Sequence, residues 1–387
     1  MQENTKVVNK IFKNSKWLIP VFAFIFIVWA LISEIQNGVK EVENTETEEV
    51  QTKTKEIEKE LSKDLALINQ AKEEVKEPEA LTPKKEEIKV VEPPLPVGTD
   101  RFIVSLNSNN EAIANNLDNG GYTKDKNKLL TIFSKNTKDI TPGAYKISKD
   151  MTEEQLNKVL TGNPYMKWVV IKPGLRKEEI AEILMSNLGW TKSQKEDWIN
   201  KDTATSTEYT EGVYYPDTYL IPIAEEPALV AKRLINKFNE NFSAYLPQFT
   251  AKNIKWARAL TLASIVQREA ANNSDMPLIA GILWNRLDQN MALGVDATLQ
   301  YLRGDKGKGW WAPITVDEKL IDSPFNTYKY KGLPPHPISN PGIMAIEAVL
   351  NPTKTDCLYY IHDKSKNTHC AVTYEEHIAN IQEYLVK

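Results

Sequence analysis

The chain has 387 residues, is 41% hydrophobic, and carries 48 Lys and Arg against 52 Asp and Glu, for a formal net charge of −4. That length holds one large or two medium globular units, and without a basic excess nothing points to a nucleic-acid partner. Two cysteines, Cys357 and Cys370, exclude a disulfide framework, although one bridge is possible.

Lys6, Lys10, Lys13 and Lys16 precede the uncharged run "WLIPVFAFIFIVWALI", Trp17 to Ile32. A single transmembrane helix over 17–34 fits this run at the short end of what spans a bilayer. The lysine bias places residues 1–16 in the cytoplasm and the remainder outside a cell membrane. A cleaved signal peptide also starts basic and then apolar, but this run is longer than a usual signal core and no A-x-A site follows it. Residues 35–97 read as a stalk: between Glu34 and Glu92 there are 17 acidic and 10 basic residues, and the segment ends in "EPPLPVG". Ile57, Leu61, Leu65 and Ile68 make a stripe too short for a stable coiled coil. A flexible chain of about sixty residues spans on the order of 40 Å, enough to hold a folded body off a surface.

Residues 98–163 form the first folded module. "RFIVSLN" alternates as a strand, "NEAIANNLDNGGY" is an amphipathic helix stopped at Gly120-Gly121, and Thr152-x-x-Gln155 is a capping box opening another helix. Residues 164–387 continue the pattern: "MKWVVIKPGLRKEEIAEILMSNLG" predicts a strand, a Pro173-Gly174 turn and a helix. "EGVYYPDTYLIP" is aromatic and turn-bounded and carries Glu211 and Asp217. Helices follow in "PALVAKRLINKFNENFSAYL" and in "TAKNIKWARALTLASIVQREAANN", the second with Thr250 as its expected N-cap. A further helix is expected from Ser274, with Pro277 in its first turn. Residues 291–342 have little periodicity and read as a long structured loop, often a functional feature. A helix ("PGIMAIEAVLN"), a hairpin ("CLYYIHDKSKNTHCAVT") and a last helix close the chain. Strands each followed by a helix indicate an α+β fold.

One residue stands out within this pattern. Leu262, Ile265, Val266 and Glu269 fall at i, i+3, i+4 and i+7, so the carboxylate shares the apolar face of its helix. Burial raises a carboxyl pKa, and a glutamate kept protonated is what a general acid requires. The alternative is a helix end from which the side chain reaches solvent, since Asn272 and Asn273 follow closely. Asn285 joins Leu278 and Ile282 on an apolar face, where a satisfied core amide is the commoner outcome. His336, His362, His369 and His377 match no zinc spacing, so no metal is expected. Ser264 lacks a G-x-S-x-G setting. A hairpin centred near Ser365 leaves Cys357 and Cys370 out of register, so no bridge between them is expected. The aromatics of "EGVYYPDTY" and "GWWAP" fit a sugar-stacking floor and ordinary core equally well.

Five segments in one order, "EGVYYPDTY", "LASIVQREA", "AGILWNRL", "DATLQY" and "SPFNTYKYKGLPPHPISNPG", resemble the endolytic murein transglycosylases, the YceG-like family, over about residues 100–387. The resemblance implies a small LysM-like peptidoglycan-binding module (98–163) followed by a mixed α/β catalytic domain (164–387), with no cofactor. It implies cleavage of the bond between N-acetylmuramic acid and N-acetylglucosamine without water, leaving 1,6-anhydro ends. The family often has two glutamates two positions apart where this chain has Gln267 and Glu269, so the acid role falls on Glu269. It implies sugar contacts from Asn285, Asp296, Asn326, Thr327 and Tyr328, a cleft wall from Gly332, Leu333 and Pro334 (with Pro335), and a nearby Asp217. The implied partners are peptidoglycan glycan strands at a bacterial inner membrane, beside synthetic enzymes such as penicillin-binding proteins. Lys172-Pro173-Gly174, His336 and "LGVDAT" depart from the family pattern, and they bear on substrate selectivity more than on reaction type. A non-catalytic anchored adaptor, and a hydrolase pairing Glu269 with Asp217 or Asp296, are the competing readings.

Overall fold

The computed structural model describes residues 94–203 and 210–386. The expected membrane helix and most of the expected stalk lie outside the described residues. Among the described residues no helix is long and apolar enough to cross a membrane.

Four strands, β1 (Asp100–Val104), β2 (Gly143–Ile147), β3 (Met166–Val170) and β4 (Thr218–Pro222), form one antiparallel sheet in the order of the sequence. Between β1 and β2 come α1 (Asn110–Asn119) and α2 (Lys126–Phe133); α3 (Glu153–Leu160) follows β2. Helix α2 was not anticipated, because "KNKLLTIF" is short. Asp125 caps it by accepting Lys128 N–H, and Leu129 and Phe133 anchor it in the core. The Thr152–Gln155 capping box of α3 is present as expected. Phe102, Val104, Ile113, Leu117, Leu129, Phe133, Tyr145 and Leu156 bury one hydrophobic cluster on this part of the sheet.

The second, larger cluster gathers around β3 and β4 and the helices after them. These are α4 (Lys177–Leu188), α5 (Lys192–Asp197), α6 (Pro227–Phe242), α7 (Leu246–Ala251), α8 (Trp256–Glu269), α9 (Met276–Asp288), α10 (Asp296–Arg303) and α11 (Ile343–Leu350). A hairpin of β5 (Tyr359–His362) and β6 (Thr368–Ala371), then α12 (Tyr374–Ile381), ends the chain. The fold is thus mixed α/β with antiparallel sheets.

Helix α8 sits at the centre. Every residue from Ala259 to Val266 is buried, so the helix is enclosed on all sides and the single apolar stripe expected from the sequence was too narrow. Its contacts with α7, α9, α10 and α11 are the reason. Its start also differs from expectation. Thr250 lies inside α7, its hydroxyl returning to Leu246 O, and Asn253 takes a left-handed φ of 55° before α8 begins. Pro247 in the first turn of α7 seeds that separate short helix. Helix α9 starts at Met276, after Asp275 rather than at Ser274. Within the expected loop 291–342, "DATLQYLR" forms α10, short but with Ala297, Thr298 and Leu299 buried.

Cys357 and Cys370 are bridged, with Cα atoms 5.8 Å apart, which corrects the expectation of no bond. The hairpin register does pair Tyr360 with Cys370 and centres the turn as expected. Cys357, however, precedes β5, off the end of the ladder, where the chain is free to bend toward its partner. The half-cystines are 13 residues apart, so on the chain-entropy account reduction removes about 3 kcal/mol of stability. Urea midpoints with and without a reductant measure this, and an unchanged midpoint contradicts it.

Candidate active site

Helix α8 ends at Glu269 because Ala270 leaves the helix with extended dihedrals. The turn that follows is gathered by Asp275, whose carboxylate accepts the N–H groups of Ala271 and Asn272, each at 3.1 Å. The same carboxylate binds His362 Nε2 and accepts from the Thr368 hydroxyl, both at 2.9 Å, which clamps the β5–β6 hairpin against the end of α8. Burial pushes the Asp275 carboxyl up, but these four hydrogen bonds outweigh it and its pKa lies below the usual carboxylate range.

On a strand, residues two apart share a face, so Tyr360 accompanies His362 toward α8. Tyr360 donates its hydroxyl to Glu269 Oε2 at 2.7 Å. From the other side α10 presents its N-terminus: the Ala297 N–H acts on the Glu269 carboxyl, and the Asp296 carboxylate lies near it. Glu269 keeps some accessible surface, while the protein packed around its carboxyl desolvates it. Desolvation raises this pKa, with the Asp296 charge adding to the rise. The Tyr360 hydroxyl, the Ala297 N–H and His362 pull it back only in part.

The loop ahead of α10 is fixed by buried hydroxyls. Thr327 Oγ1 accepts the Val295 N–H at 3.1 Å and meets the Thr298 hydroxyl at 3.0 Å, while Gly294 N–H reaches Thr327 O. Asn326, with no exposed surface, gives its amide to Lys319 O and Ile321 O and takes the Tyr328 and Lys329 N–H groups. The hydrogen bonding of Asn326 and Thr327 is therefore taken up inside the loop. They place Tyr328, whose hydroxyl bonds to Asp296 Oδ1.

The other expected positions are scattered. Asn285 donates to Thr355 O at 2.7 Å and Cys357 O at 3.1 Å and lines a depression of about 620 Å³ with Trp284 and Lys252. Gly332, Leu333 and Pro334 line another of about 320 Å³ with Ala257, Arg258 and Thr261. Thr261 is eight residues before Glu269, about 12 Å along the helix. Asp217 is exposed just ahead of β4, where its carboxylate accepts the Thr218 N–H and its charge acts on Tyr215 and Tyr219. Of these positions, Asp296 and Tyr328 are the two whose charge or hydroxyl interacts with Glu269.

Sequence reasoning missed Tyr360, Asp275, His362 and Arg286. Arg286 ties the site together by donating to Leu358 O and Leu293 O, each at 2.5 Å, joining the hairpin to the loop before α10. The alternation of "YYIH" is a visible signal for Tyr360 and His362, but nothing local says which helix end that face covers. Tyr214, Tyr215 and Tyr219 of the aromatic segment are core. Trp311 is half-buried, donating to Glu179 and covering the Arg268 guanidinium, 3.8 Å from its ring centre. Ser264 is structural: it donates to Thr261 O and accepts the Ile338 N–H. Among the described residues no group of three His, Cys, Asp or Glu side chains could hold a metal ion.

Known proteins resemble this one over the described region. Endolytic murein transglycosylases of Streptococcus pneumoniae are 28% identical over 315 residues, covering 72% of this chain and 57% of theirs. The chain thus matches little more than half the length of those relatives. The Bacillus subtilis endolytic murein transglycosylase is 28% identical over 265 residues, covering 63% of this chain and 72% of its own. A crystal structure of a yceG-like protein from Listeria monocytogenes superposes with a TM-score of 0.53 at 25% identity, covering 73% of this chain and 98% of that one. The profile of the YceG-like family matches residues 102–383, which contain both hydrophobic clusters, the desolvated carboxyl of Glu269 and the hairpin over it, and the chain belongs to that family.

Proposed function

We propose that this protein is a membrane-anchored endolytic peptidoglycan lytic transglycosylase in which Glu269 acts first as acid and then as base. The observation that carries the reading is the carboxyl at the end of α8, its pKa raised by desolvation and by the neighbouring Asp296 charge. A carboxyl whose proton affinity is raised in this way is suited to give its proton to a developing alkoxide. In the first half of the cycle, protonated Glu269 donates to O4 of the leaving N-acetylglucosamine as the C1–O4 bond breaks and C1 becomes oxocarbenium-like. In the second, the Glu269 carboxylate takes the proton of the muramyl 6-hydroxyl, and O6 bonds to C1. The proton lost is recovered, no water is consumed, and a 1,6-anhydro end remains. The N-terminus of α10, with the Ala297 N–H, suits the anion that exists between the two steps.

Asp296 and Tyr328 are then the residues best placed to meet sugar hydroxyl and N-acetyl groups. Gly332, Leu333 and Pro334 wall a depression farther along α8, suited to a more distant part of the strand. Residues 98–163, with their own hydrophobic cluster, serve as a LysM-like peptidoglycan contact. The apolar run Trp17–Ile32 anchors the protein in the inner membrane with its N-terminus cytoplasmic and the folded body outside. The Cys357–Cys370 bridge supports that placement, since disulfides persist in oxidising compartments. Nascent strands as substrate would set the enzyme beside penicillin-binding proteins.

Because Asp296 lies near Glu269, a two-carboxylate hydrolase is the second reading. Mass spectrometry of glycans released by the purified full-length protein separates the two. Anhydro-muramyl ends are expected; reducing ends would favour the hydrolase, and no release would mean a binding adaptor.

A further inference from the structure

Tyr360 is the one side chain of the hairpin that touches the Glu269 carboxyl, and several independent contacts hold it there. Its strand is fastened at one end by the Cys357–Cys370 bridge and at the other by His362 on Asp275. Arg286 donates to Leu358 O, two residues before Tyr360. The disulfide, a carboxylate clasp and an arginine thus converge on a segment whose contact with the reacting group is a single 2.7 Å hydrogen bond.

We propose that Tyr360 is a positioning residue for the reaction: its hydroxyl fixes the orientation of the Glu269 carboxyl and favours the carboxylate that the second half of the cycle requires. This rests on the lytic transglycosylase reading above. Desolvation favours the protonated form of this carboxyl, whereas the cycle needs both forms. A hydroxyl donor selectively stabilises the anion. No proton passes from Tyr360, because burial and the adjacent Glu269 hold its phenol well above the usual tyrosine range, and it stays a donor throughout. The groups facing Glu269 act in opposite senses. Asp296 raises its proton affinity, whereas Ala297 N–H and His362 lower it alongside Tyr360. Arg268, on the same helix, also feels the Glu269 charge, and Tyr328 approaches beyond Asp296. Tyr360 and His362 both belong to the hairpin, and of the two it is Tyr360 that hydrogen-bonds the Glu269 carboxyl, so the hairpin's fastening and the acid's proton affinity are linked.

The test is the pH profile of kcat/KM for the full-length protein on uncrosslinked glycan strands. Tyr360→Phe keeps the ring and removes the donor, so the alkaline limb should move up by about one pH unit, with kcat at neutral pH falling about 10-fold or more. Site-specific 3-fluorotyrosine at position 360, a stronger donor of the same shape, should move that limb down instead. A side chain that merely packs gives no such opposed shifts. An alkaline limb that stays in place in both variants, or moves the same way in both, overturns the proposal. Glu269→Gln run in parallel separates the two failures. If it is inactive while the limb does not move, only the role of Tyr360 is wrong; if it retains activity, the assignment of Glu269 itself falls.

Discussion

Glu269→Gln is expected to abolish release of anhydro-muramyl glycans, by about 10³-fold or more, with circular dichroism and melting temperature unchanged. The amide keeps the shape and can still accept from Tyr360, but it has no proton to give and cannot take one back. The wild-type rate should fall on the alkaline side as the acid form is lost, with an inflection above the ordinary glutamate range because desolvation and the Asp296 charge both raise it. Asp296→Asn removes the charge contribution and should shift that inflection down. An amide variant that cleaves like wild type, or a wild-type inflection at the ordinary glutamate value, would remove Glu269 from the mechanism.

Asn340→Ala is expected to cost stability on the order of 3–5 kcal/mol. Asn340 is fully buried and joins three segments: it donates to Leu175 O at 3.0 Å and Glu211 Oε1 at 2.6 Å, and accepts the Tyr214 N–H at 2.8 Å. Alanine leaves these partners buried without it. Glu211, whose other oxygen accepts the Lys177 N–H at 3.1 Å, has its carboxyl pKa raised by burial and by the charge of Glu178. A raised folded-state pKa means a contribution that is complete below the unfolded value and is lost as pH rises through the folded one. Wild-type stability should therefore decline on the alkaline side, through that raised value. Urea titrations of both proteins across this range measure both effects. A cost below about 1 kcal/mol would show that the three segments hold together without the amide.

The same two sites show how far local pattern reaches. Glu269 was legible because a helical period of 3.6 places it beside Leu262, Ile265 and Val266, and the capping box at Thr152 and the hairpin turn near Ser365 were legible for equally local reasons. Helices α2 and α10 were not, since each is eight residues long and owes its stability to burial against distant elements rather than to its own periodicity. Glu211 was visible only as an acidic residue in an aromatic segment; its burial depends on Asn340, 129 residues away.

Sequence by itself determined which residue types the protein commits to each place: an apolar run behind four lysines, an acid-rich stretch after it, an α+β body and one carboxylate on a helix's apolar side. Tertiary structure alone decided what surrounds that carboxylate. Tyr360 reaches Glu269 across 91 residues and Asp296 reaches Tyr328 across 32, and the Cys357–Cys370 bridge forms although strand register argues against it. Periodicity reports which face of an element is buried, but it carries no information about which distant face buries it. Proton affinity, which depends on that second face, is therefore set by the fold.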